Sequence, residues 1–209
     1  MTLSSIIGYG DLGKQFHVFL KTKGYTKFNL YDDLKFQSDE RSYFRFIGYK
    51  NQTTNSDYYV ALGYKNLALK YKILKELMMN DKKTPKFVHE SSFVNDNSVI
   101  EEAVFIYPKC NIDMNTNVKL GTLINNSVVI SHDSVIGVCC YISPGCVISG
   151  NVQIGDFTFL GSGVIVSNNV KIGKNVKIGI GSVITSDIPD NTCVIGNPMR
   201  ILSNGLNII

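Results

Sequence analysis

The sequence predicts two consecutive folds: a small α/β domain with a parallel sheet over residues 1–84, and a solenoid of short parallel strands over residues 85–209. Three observations predict this division. Strand-like and helix-like segments alternate in the first region. A hydrophobic residue recurs every six positions from Val88 to Ile184. The polar stretch NDKKTPK, at residues 80–86, lies between the two patterns and is typical of a linker.

The first region is predicted to hold three strands and two helices. The strands are expected at residues 4–8, 27–31 and 58–62, and the helices at residues 11–23 and 67–79. Alternation of strands and helices favours a parallel sheet, because parallel strands need long connections between them. Pro85 marks the end of the last helical segment.

The second region has a period of six over seventeen positions, and each of these is Ile, Leu or Val. Four places further on in each hexad stand residues that are almost all small or β-branched. Neither a helix nor a single strand has this period, whereas short strands that bend at regular corners do. Three such strands form a coil of eighteen residues. Glycines follow several inward residues, where freedom in φ is expected to form the corners: Gly137, Gly155, Gly161, Gly173 and Gly179.

This hexad pattern resembles that of the hexapeptide-repeat acyltransferases over residues 88–198. The resemblance implies that the solenoid is a left-handed parallel β-helix. It also places Cys110, Cys140 and Cys146 at the small interior position, whereas Cys139 falls outside that position and is expected to be exposed. Five cysteines without metal-ligand spacing indicate neither a disulfide framework nor a metal site.

Charge is distributed unevenly along the chain. Residues 1–87 contain 15 Lys/Arg and 8 Asp/Glu, against 6 and 9 in the remainder. The basic first part suits an anionic small molecule or is simply a solvated surface. No basic-aromatic pattern indicates a nucleic-acid partner. Without a leader-like segment or a long apolar run, we expect a cytoplasmic protein that does not bind membranes.

The segment GYGDLG places Gly8, Gly10 and Gly13 in GxGxxG spacing between a predicted strand and a predicted helix. Such glycines let backbone amides approach a pyrophosphate, and Asp32 stands where an acidic residue binds a ribose hydroxyl. Read alone, the motif suggests NAD. The domain has only about half the strands of a full Rossmann fold, so a mononucleotide fits this half-Rossmann domain better.

Taken together, the two regions resemble nucleotide-amino-sugar N-acetyltransferases and the related sialic acid O-acetyltransferases. The resemblance implies that the α/β domain binds a nucleotide-linked sugar, that the coil binds acetyl-CoA without a metal, and that the protein is a homotrimer. The segment LYDDL matches the aspartate pair near the nucleotide, which assigns Asp32 and Asp33 to that site. Asp11 and Leu12 replace the usual Gly-His pair in the glycine loop.

His132 lies two places after the inward Ile130, at neither core position, so its imidazole is predicted to project outward at a corner. A histidine there can accept a proton when an amine or hydroxyl attacks a thioester. Asp133 can orient the imidazole. The segment SHD matches the catalytic His-acidic pair of these acyltransferases, which implies the same roles for His132 and Asp133.

Gly150 follows His132 by eighteen residues, so it is expected one strand spacing of about 4.8 Å above it. The resemblance implies that its amide binds the acyl oxygen. Tyr141 replaces a frequent second histidine and is predicted to contact the acyl group or CoA. The segment VIGNPMRI resembles a closing segment that contacts CoA, which assigns Asn197, Pro198 and Arg200 to the acetyl-CoA site.

We therefore expect an acetyl-CoA-dependent N-acetyltransferase that acts on a nucleotide-linked 4-amino-4,6-dideoxy sugar for a bacterial surface glycan, such as an O-antigen. Three alternatives remain: an O-acetyltransferase of sialic acid type, a solenoid that binds without catalysis, and an NAD-dependent oxidoreductase. The sequence leaves the nucleotide base and the sugar stereochemistry open.

Overall fold

The structure is a computed structural model that describes residues 3–33, 43–44, 46–51 and 55–202. Contacts divide the chain into two compact units, Met1–Pro85 and Lys86–Ile209. Leu34 of the LYDDL segment and residues 203–209 lie outside the described residues.

The first unit is a four-stranded parallel sheet in the order β3-β2-β1-β4. Its strands are β1 (Leu3–Ile7), β2 (Lys27–Tyr31), β3 (Tyr43–Phe44) and β4 (Asp57–Val60). Its helices are α1 (Asp11–Thr22) and α2 (Leu67–Met79), with two 3₁₀ helices at Phe46–Asn51 and Tyr64–Asn66. The three predicted strands and both helices are confirmed, two of them with the predicted ends and the others with ends that differ by at most two residues. The sequence analysis missed β3 and the 3₁₀ helices.

The second unit is a parallel β-solenoid with three walls, and from Phe87 to Ile184 each strand pairs with the strand eighteen residues away. The six-stranded wall consists of β6 (Phe93–Val94), β9 (Asn111–Ile112), β12 (Val129–Ile130), β15 (Val147–Ile148), β18 (Ile165–Val166) and β21 (Val183–Ile184). The five-stranded wall consists of β7 (Val99–Ile100), β10 (Asn117–Val118), β13 (Val135–Ile136), β16 (Gln153–Ile154) and β19 (Lys171–Ile172).

The third wall has eight strands: β5 (Phe87–Val88), β8 (Phe105–Ile106), β11 (Leu123–Ile124), β14 (Tyr141–Ile142), β17 (Phe159–Leu160), β20 (Lys177–Ile178), β22 (Cys193–Ile195) and β23 (Arg200–Leu202). The last strand pairs antiparallel with β22 and closes this wall. The hexad residues fill the interior from Ile100 to Ile184, and Val88 and Val94 pack against them while partly buried. Full burial of one such aliphatic side chain contributes about 2 kcal/mol.

Hydroxyl groups of residues four places after the inward aliphatic residue connect successive coils. Thr122 Oγ1 donates to the carbonyl of Gly137 at 2.6 Å and accepts from the amide of Cys140 at 2.9 Å. The thiols of Cys140 and Cys146 take the same position and contact carbonyls one coil further on, each at 3.2 Å. These contacts satisfy backbone groups that a purely apolar interior would leave unpaired.

The expected role of the corner glycines is wrong. In the coils, every sixth residue from Ala103 to Gly181 has a positive φ, between 48° and 70°. Gly137 and Gly155 are not among them. A Cβ at Gly137 would lie 2.6 Å from the amide nitrogen of Asp156, and one at Gly155 would lie 2.6 Å from the carbonyl carbon of Gly173. These glycines are required because the next coil passes too close for a side chain.

The expectation for Cys139 is also wrong, because this residue is fully buried. Cys110, Cys140 and Cys146 are buried, as predicted. Burial raises the pKa of the Cys146 thiol to about 11 and that of Cys140 to about 12. Neither thiol is a thiolate at neutral pH, which agrees with packing roles rather than nucleophilic ones.

Candidate active site

His132 lies at the corner between the six-stranded and five-stranded walls. Strand β12 ends at Ile130, strand β13 begins at Val135, and the chain turns at His132 and Asp133. Ile130 is fully buried, whereas the side chains of His132 and Asp133 are 47% and 45% exposed. The imidazole therefore projects outward, as its place in the hexad predicts.

His132 and Asp133 form a close pair at this corner. The Nδ1 atom of His132 lies 2.8 Å from Oδ2 of Asp133. The φ of Asp133 is 56°, in the left-handed region that Asp and Asn tolerate better than most residues. When Nδ1 carries the proton and donates to the carboxylate, Nε2 keeps its lone pair and can accept a proton.

Asn115, one coil below, holds the other carboxylate oxygen of Asp133. Its Nδ2 donates to Oδ1 at 3.0 Å. The hydrogen bond from Asn115, and then the one with His132, hold the pKa of the Asp133 carboxyl below its ordinary value. The sequence analysis missed Asn115, although the eighteen-residue coil places it directly below Asp133.

Gly150 makes room for the imidazole on the coil above. A Cβ at this position would lie 2.6 Å from Nε2 and 2.7 Å from Cε1 of His132. Side chains do not approach that closely, so the observed position of the ring requires a glycine here. The predicted proximity of Gly150 to His132 is therefore present.

The amide of Gly150 is not free, contrary to the expectation. It donates to Oδ1 of Asn168, on the next coil up, at 2.9 Å. For this amide to bind an acyl oxygen, the Asn168 side chain has to rotate away. The sequence analysis missed Asn168, which lies eighteen residues beyond Gly150 and is predictable from the same period.

The other predicted acetyl-CoA residues lie elsewhere on the prism. Tyr141 is in β14 of the eight-stranded wall, which faces away from the corner that carries His132. Asn197, Pro198 and Arg200 are exposed residues of the β22–β23 segment, and Asn197–Pro198 is a cis peptide bond. Within one chain these residues do not meet His132, so their roles stay predictions for a site formed by two copies.

An open groove of about 790 Å³ follows the five-stranded wall, and its lining includes Val135, two residues after Asp133. Gly155 and Gly173 are among the residues that line it. Its edges contain both cations and anions: Lys119, Lys171, Lys174, Asp156, Asp187 and Asp190. Neither His132 nor Asp133 lines this groove, and Val135 is the lining residue nearest to them along the chain.

In the first unit, Gly8, Gly10 and Gly13 occupy the carboxyl end of β1 and the start of α1, as predicted. Gly8 has φ 89°. A Cβ at Gly13 would overlap the carbonyl oxygen of Gly8, so this glycine permits close packing of helix and strand. A Cβ at Gly10 would meet nothing within 4 Å, which leaves open space over the loop.

The predicted acidic residues of this unit differ in environment. Asp32 is partly buried, and its Oδ2 accepts the amide of Tyr9 at 2.9 Å, so it holds the glycine loop in place. Asp33 is exposed in the turn after β2. Asp11 is 93% exposed in the first turn of α1 and pairs with Lys14 at 3.0 Å. Because parallel strands end at one edge, the aspartates after β2 share that edge with the glycine loop.

Within the described ranges, no group of three or more His, Cys, Asp or Glu side chains has a geometry that would hold a metal ion. Among the helices of the same ranges, none combines the length and the apolar character needed to cross a bilayer.

Comparison with known proteins agrees with this architecture. The family model described as Bacterial transferase hexapeptide (six repeats) matches residues 151–186. The acetyltransferase domain of PglB from Neisseria gonorrhoeae FA1090 is similar at 26% identity and a TM-score of 0.89, over 97% of this chain and 100% of that domain. A second structure of that domain contains acetyl coenzyme A.

Two further structures share the fold at lower identity. PerB from Caulobacter crescentus, in complex with CoA and GDP-perosamine, is 24% identical with a TM-score of 0.88, over 97% of this chain and 98% of that one. WeeI from Acinetobacter baumannii AYE is 21% identical with a TM-score of 0.84, over 97% of this chain and 100% of that one. Residues 151–186 thus match a hexapeptide-repeat model, and the α/β unit and the β-solenoid have the same fold as the acetyltransferase domain of PglB, PerB and WeeI.

Proposed function

We propose that this protein is an acetyl-CoA-dependent N-acetyltransferase that acts on a nucleotide-linked 4-amino-4,6-dideoxy sugar for a bacterial surface glycan. The observation that carries the proposal is the exposed His132, held by Asp133 at 2.8 Å beside Gly150. The fold that carries this pair is similar to that of the acetyltransferase domain of PglB.

The chemistry assigned to the pair is general base catalysis. Nε2 of His132 accepts a proton from the sugar amine as the amine nitrogen attacks the thioester carbonyl carbon. The new C–N bond forms, the C–S bond breaks, and the proton passes to the leaving CoA sulfur. Asp133 holds the ring and stabilises its charged form, as the acidic partner of a catalytic histidine does.

The fold of the corner supports a functional role for Asp133. Asn115, Asn151 and Asn169 take the same left-handed corner position on neighbouring coils. Asparagine therefore satisfies the backbone there, and the solenoid itself does not require a carboxylate. The coil that contains His132 has an aspartate at this position instead, and the carboxylate of that aspartate contacts the imidazole.

The groove on the five-stranded wall supports an extended anionic acyl donor. Lys119, Lys171 and Lys174 line it together with three aspartates, and its volume is about 790 Å³, within the range of small-ligand pockets. Acetyl-CoA is extended and carries phosphates that the three lysines can pair with, and a structure of the similar PglB domain contains it. We assign the donor to this groove and to the segment that holds Asn197, Pro198 and Arg200 of a second copy.

We also propose a homotrimer, which the distribution of these residues supports. The His132 corner and the wall with Tyr141 lie on opposite sides of one prism, so they meet only where two copies pack together. The six-stranded wall also presents an exposed apolar column that includes Val129, Val147 and Ile165, with exposed fractions of 36%, 38% and 45%. Such a column on a surface is typical of a protein interface.

We assign the nucleotide-linked sugar to the edge of the first unit that carries Gly8, Gly10 and Gly13, with Asp32 and Asp33 nearby. The N-acetyl product is favoured because PerB, which shares the fold, is described in complex with GDP-perosamine, an amino sugar. The nucleotide base of the substrate stays open, and a cytoplasmic location stays a prediction.

The test is a screen of acetyl-CoA consumption against UDP-, dTDP- and GDP-linked 4-amino-4,6-dideoxy sugars, with product analysis by mass spectrometry and NMR. We expect one of them to yield an amide. An ester on a sugar such as sialic acid would identify the O-acetyltransferase. Binding of acetyl-CoA without turnover on any acceptor would identify a non-catalytic solenoid.

A further inference from the structure

Asn115 is the side chain that reaches Asp133 from the side away from His132. Its Nδ2 donates to Oδ1 at 3.0 Å, while Oδ2 of the same carboxylate faces Nδ1 of His132 at 2.8 Å. Both carboxylate oxygens are therefore held. We propose that Asn115 is a positioning residue for the base, which acts through Asp133 to fix the plane of the carboxylate against the imidazole; this rests on the proposed function.

The need for a second anchor follows from the exposure of the pair. Asp133 is 45% exposed, and a carboxylate that makes one hydrogen bond in water can rotate about its two side-chain torsions. A hydrogen bond to each of its two oxygens holds the carboxylate in one orientation. The corner geometry adds to this, because Asn115 and Asp133 both have left-handed φ values, 56° each, and project from successive coils in the same direction.

Asn115 also favours the ionised form of the Asp133 carboxyl. An amide N–H donated to a carboxylate favours its ionised form. The hydrogen bond from Asn115 is the largest cause of the lowered pKa of the Asp133 carboxyl. Asn115 thus keeps Asp133 as an acceptor over a wider range of acidic pH.

The repeat provides a matched control. Asn169 occupies the same corner position two coils above Asp133, with φ 64°, and no hydrogen bond joins its side chain to Asp133. Replacing either asparagine by alanine removes a residue that favours left-handed φ, so both variants carry a similar cost in stability. A difference between Asn115→Ala and Asn169→Ala in function is then a consequence of the contact with Asp133.

The kinetic test measures acetyl transfer by both variants. We expect Asn115→Ala to lower kcat by about tenfold or more with KM for both substrates unchanged within about twofold, because the base is misplaced rather than binding lost. We expect Asn169→Ala to have the same kcat as the unmodified protein. In an Asp133→Ala background, Asn115→Ala has no further effect, because a residue that acts through Asp133 loses its role with it.

The second test needs no substrate. Carboxyl ¹³C NMR follows the titration of Asp133, assigned by its loss in Asp133→Asn. We expect the pKa of Asp133 to rise in Asn115→Ala and to stay unchanged in Asn169→Ala. An unchanged titration in Asn115→Ala, or a further loss of kcat in the Asp133→Ala background, overturns the role of Asn115. If the unmodified protein transfers no acetyl group, the proposed function fails instead.

Discussion

The imidazole of His132 lies so close beneath Gly150 that a Cβ at Gly150 would be 2.6 Å from Nε2. The two residues are eighteen apart, so each coil of the solenoid sets the surroundings of the one below. His132 keeps its exposed position because the residue above it has no side chain.

Gly150→Ala is expected to displace the imidazole and lower acetyl transfer by about a hundredfold. The free energy of unfolding should change by about 1 kcal/mol or less, because the methyl group meets an exposed side chain that can move. Enzyme assays and thermal unfolding measure the two effects. Gly63→Ala is the control, since a Cβ at Gly63 meets nothing within 4 Å. Full activity in Gly150→Ala would show that the ring position is unimportant.

Asp133→Asn separates the fold from the chemistry. Because asparagine occupies this corner at three neighbouring coils, the variant should fold normally, while kcat falls by about a hundredfold through the lost carboxylate. A loss of solenoid structure by circular dichroism, or an unchanged kcat, would each contradict this prediction.

The lowered pKa of Asp133 also predicts a pH effect on stability. A depressed carboxyl pKa stabilises the fold above the ordinary carboxyl value, and this contribution disappears as the pH falls through the lowered value. Chemical unfolding between pH 7 and pH 2 should show a smaller loss of stability with acid in Asp133→Asn than in the unmodified protein. The same pH dependence of the free energy of unfolding in the two proteins would contradict this prediction.

Thiol labelling tests the burial of the cysteines. Cys193 is partly exposed, whereas Cys110, Cys139, Cys140 and Cys146 are buried. A maleimide should therefore label the native protein once, at Cys193, and the unfolded protein five times. Cys193→Ser should abolish labelling of the native protein, and rapid labelling at Cys139 would show that its corner is open.

Self-association is expected to depend on the six-stranded wall. Val147→Glu places a charge in the middle of the exposed apolar column and should convert the proposed trimer to monomers, because an unpaired charge in an interface is costly. Light scattering after gel filtration measures the mass. Val99→Glu on the five-stranded wall is the control, with a valine that is 55% exposed. A monomeric unmodified protein would contradict the proposed assembly.

The hexad was enough to predict the solenoid, because one aliphatic residue every six positions leaves a single way to bury them all. It also placed His132 outside the core and Gly150 above it. Helix α2 was predicted to the residue, whereas β3 was missed because two residues, Tyr43 and Phe44, show no periodicity.

The contacts between coils were harder to predict. The burial of Cys139 depends on residues in neighbouring coils, which its place in one hexad does not specify. The hydrogen bonds of Asn115 and Asn168 depend on side-chain reach across a coil spacing, and asparagines at turns have an ordinary conformational explanation. The period identifies which residues are stacked, and the structure shows which of them touch.

Acetyl transfer by His132→Ala, compared with the unmodified protein and with His89→Ala as a control on another wall, tests the central claim most directly. The assay follows amide formation from acetyl-CoA and the nucleotide-linked 4-amino sugar that the screen identifies. The account predicts a loss of about a hundredfold or more in kcat for His132→Ala and little change for His89→Ala. Near-full transfer by His132→Ala would contradict it.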